Sequence, residues 1–586
     1  MTRARWRRDA DVVVVGSGAA GIAAALTAAG SGLRVLMVTK DLIGGATPLA
    51  QGGLAAAIGP GDSPAAHAGD TLTAGAGLCE PAVVAALAAG APGAIGWLTG
   101  LGARLETREL RLEGGHSHRR IVHSGDDATG AEVHRVLLAA LLASGIEILD
   151  RTVALDLIRH STDPLALNVQ PPITGQIFSA DAGQVTGLVA AVIGAGGRLA
   201  PGVIAARAVV VAAGGLGQAF ATTSNPTGAT GDGIALAARA GAVLRDLEFV
   251  QFHPTVLWRP DASGQCPLIT EALRGAGAVL RDLDGTPLMA GQDPRGDLAP
   301  RDVVAARMAE VIAAGTAGHV WLDATGLGRD ALEDGFPTVV AACRKHGIDP
   351  VSAYIPVAPG AHYSCGGIRA DLDGRTSIAG LYAVGEAAST GVQGANRLAS
   401  NSVTEAIIAG RRTGRSLARA TAGTAGQPDR RGVPAAMTAW AGPAAGRAGA
   451  GAGRRELAAA MSRHAGVLRD AEGLAALAAM TCGADVADGE DAGSVPRMGA
   501  VDLAGAGGAS GGGGAGGGAG AGDLDLAAVE AANLRTVSGL IAAGALRRAE
   551  SRGCHRRRDA TRTAARPWHT LLRWDGQKLV VTKEEL

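Results

Sequence analysis

The pattern of apolar and polar positions divides the chain into unlike stretches. Up to about residue 245, short apolar runs alternate with Ala-rich segments. Val12 to Val15 is an unbroken valine run between Asp11 and Gly16 and reads as a strand buried on both faces. The residues after it, Gly16-Ser17-Gly18-Ala19-Ala20-Gly21, turn into an Ala-rich helix, and residues 34–38 supply a second strand, so a βαβ unit is expected. A further buried strand spans 208–215 and ends in glycines. Between 246 and 354 the pattern changes: turn signals such as Asp284-Gly285 and Asp293-Pro294, and an apolar helix over 302–314, mark an inserted domain. The first pattern returns with a strand at 380–384 that ends in Gly385-Glu386. Ser400, Asn401 and Ser402 then offer N-caps for a helix starting near Val403. From about 430 the chain reads as helical, with 504–522 an almost pure Gly and Ala insertion that reads as a flexible tract.

Composition narrows the function classes. With 586 residues there is length for two or three domains. Lys+Arg and Asp+Glu balance at 54 each, so nothing in the overall charge favours nucleic acid or an anionic membrane surface. The start of the chain is basic and then apolar, but Asp11 and the glycines interrupt it, so a buried strand and helix explain it better than an export signal. No stretch of about 20 apolar residues is free of clustered glycine, and no membrane span is expected. The six cysteines form no CxxC and no framework, which fits reduced thiols in a cytoplasm. His116 and His118 lack a third nearby ligand, so no metal is expected.

Two segments carry candidate chemistry on their own residues. In GSGAAG, Gly16 permits a tight turn, Gly18 lets the backbone meet a pyrophosphate and Gly21 lets helix and strand pack closely. The second strand ends in Thr39-Lys40-Asp41, where an acidic residue for a ribose is usual. In TGVQGANRLASNS, Arg397 sits among small residues, where a guanidinium can meet a carboxylate with two parallel bonds, just before a helix N-terminus that suits an anion.

Seven further motifs follow in order: ATPLAQGGLAA (46–56), LEGGHSHRRIVHSGDDATG (112–130), TGDGIALAARAGA (230–242), EFVQFHPT (248–255), LITEALRGAGA (268–278), LAPRDVV (298–304) and APGAHYSCGGI (358–368). Together they resemble the flavoprotein family of succinate dehydrogenase, fumarate reductase and L-aspartate oxidase, and within it the aspartate-oxidizing branch. The resemblance implies a Rossmann-type FAD-binding domain (1–245 and 355–415), an inserted α+β capping domain (246–354) and a C-terminal helical domain (430–586). It also implies FAD held by Gly16, Ser17, Gly18, Ala19, Ala20, Gly21, Lys40, Ala46, Thr47, Pro48, Leu49, Ala50, Gln51, Gly52, Gly53, Asp232, Glu386, Ser402 and Val403. Ala46 stands where the membrane-complex members carry a flavin-linking histidine, so the FAD is expected to be non-covalent.

For a dicarboxylate, the resemblance assigns one end to His253 and Thr270 and the other to His362 and Arg397. Glu113 would meet a substrate ammonium, Arg301 would carry the proton, and Arg274 would help hold the site together. The implied reaction is oxidation of L-aspartate to iminoaspartate, with hydride passing to the flavin and oxygen or fumarate as acceptor. That is the first step of de novo NAD synthesis, feeding quinolinate synthase. The alternative is a soluble fumarate reductase or succinate dehydrogenase flavoprotein. The chain departs from the family at Gln393, where His is usual, and at Ala276, where an acid is common.

Overall fold

The computed structural model describes residues 4–125, 127–160, 183–422, 450–482, 524–574 and 579–586. The Gly/Ala insertion at 504–522 lies outside them. At the centre, strands Leu381–Ala383, Ala208–Val211, Val12–Val15, Val35–Val38 and Glu147–Leu149 form one parallel sheet in that order. All four residues of Val12–Val15 are buried, as a two-sided strand requires.

Helix Ala19–Ala29 packs on helix Asn401–Ala422. Small residues make the close approach possible: a Cβ on Gly410 would lie 2.4 Å from Ala20 O, and one on Gly414 would lie 2.6 Å from Thr27 Cβ. The alanine-rich composition here is therefore a packing requirement. A second sheet of four strands, led by Arg7–Asp9 and completed by 199–205, 184–193 and 152–160, flanks the first.

The inserted segment builds its own sheet and core. Strands Val250–Leu257, Val279–Arg281 and Val320–Asp323 lie in it, with Leu257, Ile269, Leu280, Val304, Met308 and Leu322 among the buried residues beneath. This sheet also takes in Thr222–Thr223 and Ile355–Ser364, which lie outside 246–354. The helix expected over 302–314 is Arg301–Ala314.

Helices Ala450–His464, Ala471–Cys482 and Leu526–Arg547 make up the described helical part of the C-terminal region. A hairpin, Trp568–Trp574 and Leu579–Glu585, follows and pairs with Leu244–Arg245 beside the insertion. Among the described residues two helices, Pro81–Gly100 and Leu526–Arg547, are long and apolar enough to cross a membrane by composition. Both bury residues in the body of the protein, including Val84, Leu87 and Leu98 in one and Val537, Leu540 and Ile541 in the other.

The Arg-rich stretch that follows the last long helix is not the solvated face its composition alone suggests. The run Arg547, Arg548, Arg552, Arg556, Arg557 and Arg558 has the composition of a solvated helix face, but the helix stops at Arg547, and Arg548, Arg552 and Arg557 are buried. Carboxylates make this possible: Arg548 pairs with Glu248 and Glu550 at 2.7 Å each, and Arg557 pairs with Asp559 at 2.6 Å.

Candidate active site

An elongated cavity runs from the first glycine motif to Arg397. Its cofactor end is lined by Gly16, Ser17, Gly18, Ala19, Ala20, Lys40, Asp232 and Glu386, and its middle by Ala46, Thr47, Leu49, Ala50, Gln51, Gly52 and Gly53, with Ser402 and Val403. Gly21 and Pro48 are off the wall. Gly21 serves packing instead, since a Cβ there would sit 2.0 Å from Gly16 O. At Gly16, with φ +109°, a Cβ would sit 2.2 Å from Ala212 O, so only glycine fits the turn.

These residues suit a flavin dinucleotide. Gln51 Oε1 is a buried acceptor on the wall with no partner. Among the described residues no ion pair reaches Glu386; burial pushes its carboxyl up to about 7, while Ser364 N, donating at 3.0 Å, and the more distant Arg397 oppose that. Both match a ligand rich in hydroxyl and N–H donors. Lys40 Nζ takes the place of the usual ribose acid and lies 2.7 Å from both Asp232 and Glu530, so the last long helix reaches this end of the cavity.

At the other end the structure gathers Glu113, His253, Thr270, His362, Arg397 and Arg301 on one wall. His253 Nδ1 accepts from Thr255 N at 3.2 Å, which leaves its Nε2 as the protonated nitrogen of a neutral ring. That Nε2 is buried without a partner. The rings of His253 and His362 meet edge-on, with centroids 5.1 Å apart. Burial, followed by Arg301, holds both imidazoles well below the usual histidine range. His362 Nδ1 is bonded to Ser224 Oγ at 2.6 Å.

Arg397 is buried with only long hydrogen bonds, 3.3 Å to Ser402 Oγ and 3.5 Å to Leu398 O, and its Nε has no partner. Its guanidinium lies 5.0 Å from the Tyr363 ring centre. Burial and the nearby Arg301 lower its pKa to about 10. A buried cation so poorly paired is ready for an anion from outside.

Arg301 is oriented by two bonds, Nε to Glu271 Oε2 at 2.6 Å and Nη1 to Gln251 Oε1 at 3.2 Å. Burial works against the Glu271 charge, but Arg301 and Arg274 outweigh it and hold the carboxyl below its usual range. Arg274 is not on the cavity wall: it stands behind Glu271, 3.6 Å away, and also donates to Asp297 O. A direct substrate contact from Arg274 is therefore not what the geometry offers.

Glu113 is 3% exposed, and among the described residues no ion pair reaches it. Burial and then Glu271 push its carboxyl up, while Ser400 Oγ, donating at 2.6 Å, pulls it back. Ser400 has φ +59°, a strained value for serine at the start of helix Asn401–Ala422. Its hydroxyl also accepts from Gly53 N at 3.1 Å, which directs its proton toward Glu113. The three cap candidates thus have other partners: Ser400 takes Glu113, Asn401 takes His67 at 2.7 Å, and Ser402 takes Arg397.

The sequence reading missed Glu271 and Gln251. Their only signals were an acid three residues before Arg274 and a polar residue inside the apolar run of EFVQFHPT. Gln393 is off the wall and donates to Glu405 at 2.6 Å. Among the described residues no cluster of metal ligands occurs.

Residues 11–403 match the FAD binding domain family, and 524–585 match the fumarate reductase flavoprotein C-terminal family. The chain is 48% identical over 427 residues to L-aspartate oxidase of Streptomyces coelicolor, covering 72% of this chain and 70% of that one. It is 43% identical over 560 residues to L-aspartate oxidase of Mycobacterium tuberculosis, covering 94% and 93%. Among solved structures, a quinol-fumarate reductase with menaquinol superposes with TM-score 0.81 at 28% identity, covering 99% of this chain and 98% of that one. The Mycobacterium smegmatis Sdh1 complex gives 0.75 at 28%, covering 99% and 94%.

Proposed function

The chain belongs to the L-aspartate oxidase family of FAD-binding flavoproteins, and from that premise we propose that its cavity oxidizes L-aspartate to iminoaspartate. The observation that carries the reading is Glu113, a buried carboxylate without a cation, set among donors that suit a dicarboxylate at both ends. A substrate ammonium supplies the missing cation. Succinate and fumarate have none and would leave the Glu113 charge unpaired.

In this reading His253 Nε2–H and Thr270 hold one carboxylate, and His362 and Arg397 hold the other, fixing the orientation of the reacting carbon. The hydride acceptor would be supplied by FAD bound non-covalently along the glycine end of the cavity. With its Nε proton passed to Glu271, Arg301 can take the proton that leaves the adjoining substrate atom, so that the net acceptor is the Glu271 carboxylate and the guanidinium is restored. His253, Thr270 and Arg301 lie in the 246–354 segment, and His362 lies on strand Ile355–Ser364, which pairs with Val250–Leu257 in the same sheet, whereas Arg397 comes from the FAD-binding part. Closure of that capping segment over the FAD-binding part would press this sheet toward Arg397 and exclude water.

Oxygen, giving hydrogen peroxide, or fumarate then serves as electron acceptor. The product suits the first step of de novo NAD synthesis, upstream of quinolinate synthase. A cytoplasmic setting agrees with the five cysteines that are free among the described residues. The test is oxygen uptake with each donor in turn: peroxide formation with L-aspartate supports the reading, and turnover of succinate without aspartate would move the protein to the dehydrogenase branch.

A further inference from the structure

The segment after the last long helix, SRGCHRRRD (551–559), docks against the loop that carries Arg397. Cys554 N donates to Ala395 O at 2.9 Å, and a Cβ on Gly553 would lie 2.4 Å from the same oxygen. From this segment Arg556 Nη2 reaches Asp302 Oδ2 at 2.8 Å, in the first turn of helix Arg301–Ala314.

A chain of bonds leads from Asp302 back into the site. Asn396 Nδ2 donates to Asp302 Oδ1 at 3.0 Å, and Gln251 Nε2 donates to Asn396 Oδ1 at 2.8 Å and to Arg397 O at 2.7 Å. Gln251 Oε1 then accepts from Arg301 Nη1 at 3.2 Å. Each end of this relay has a fixed polarity, because a carboxylate only accepts and a guanidinium only donates. The two amides between them can therefore adopt only one orientation, since turning either over would set donor against donor.

We propose that Arg556 is a positioning residue for the reaction: by pairing with Asp302 it fixes the Asn396–Gln251 relay and with it the aim of Arg301. The inference rests on the oxidation proposed above. Burial pushes the Asp302 carboxyl upward, and Arg556 is the main cation opposing that push. The other charged or titratable groups facing Asp302 are Arg295, the Cys554 thiol (itself driven well above its usual range by burial) and the adjoining Arg301. Once Arg556 loses its charge, Asp302 takes up a proton more readily. As an acid it no longer offers Asn396 a charged acceptor, so Asn396 Nδ2 is left to its longer bond to Ala74 O at 3.2 Å, the amide shifts, and Gln251 behind it is less firmly placed.

The experiment follows anaerobic flavin reduction by L-aspartate across the neutral pH range, with FAD content and melting temperature recorded for every variant. Arg556→Gln is expected to slow reduction about tenfold with little change in aspartate Kd, the loss deepening as pH falls. Arg556→Lys should recover most of the rate. Adding Asp302→Asn to Arg556→Gln should remove the extra pH dependence, because the titrating group is gone. A normal rate in Arg556→Gln would overturn the proposal. So would a pH-independent loss that tracks a lower melting temperature and is not recovered by lysine. If the wild type is reduced by succinate and not by aspartate, the substrate reading fails, and the same variant ratios measured with succinate still decide the role of Arg556.

Discussion

Two groups of buried arginines have opposite surroundings in this protein. Around Arg548 the fold supplies everything a guanidinium needs: Glu248, Glu550 and Asp246 for charge, Trp568 O and Thr570 Oγ1 for the remaining donors, and the Phe249 and Trp568 rings on its faces. Burial opposes its charge, but Glu248 and Asp246 outweigh it and raise the pKa. Around Arg397 the fold supplies almost nothing, and the pKa falls to about 10. The first arrangement holds the C-terminal region to the rest of the protein. The second keeps a cation poorly satisfied so that a ligand carboxylate can complete it.

The largest expected effect is on chemistry. Arg301→Gln should slow flavin reduction by L-aspartate about a thousandfold while aspartate binding survives, as transient kinetics would show. Next, the two arginine sites should separate stability from binding. Arg548→Met leaves buried Glu248 without its ion-pair partner, takes one of the partners from Asp246 and Glu550, and should destabilize the protein by about 3–5 kcal/mol in denaturant titration. Arg397→Met removes an unsatisfied charge, so the melting temperature should hold or rise while the KM for aspartate increases about a hundredfold. Equal melting losses in the two variants would erase the distinction between the sites.

A smaller effect concerns selectivity. Glu113→Gln should raise the aspartate Kd about tenfold and leave succinate binding unchanged or tighter. Parallel losses for both ligands would remove Glu113 from the selection of the ammonium. The smallest effect is on the FAD-free protein. The folded-state pKa of Glu386, about 7, lies above its reference value of 4.5. Its contribution to stability is therefore fully present below about pH 4.5 and is lost as pH rises through about 7. Glu386→Gln should flatten that part of the apoprotein stability profile, and FAD binding should mask the difference.

The contrast between the arginine sites also explains what could be read from the sequence. Val12–Val15, the glycine turn and the helix after Arg397 announce themselves locally, because a buried strand, a tight turn and a helix start each need particular residue types within a few positions. The wall residues Glu113, His253, His362 and Arg397 were legible through motif order. Arg548 was not, because its partner Glu248 lies 300 residues away and an arginine run has the composition of a solvated face. The hairpin at 568–585 was hidden for a similar reason, since its pairing strand, Leu244–Arg245, is distant and only two residues long. Gln251 and Glu271 are ordinary in sequence and acquire meaning only from the bonds that hold Arg301.

The most direct measurement is anaerobic bleaching of the flavin absorbance of the purified holoprotein, with L-aspartate and succinate added separately. Bleaching by L-aspartate and not by succinate is the predicted result. Bleaching by succinate alone would contradict both the reaction and the role given to Glu113.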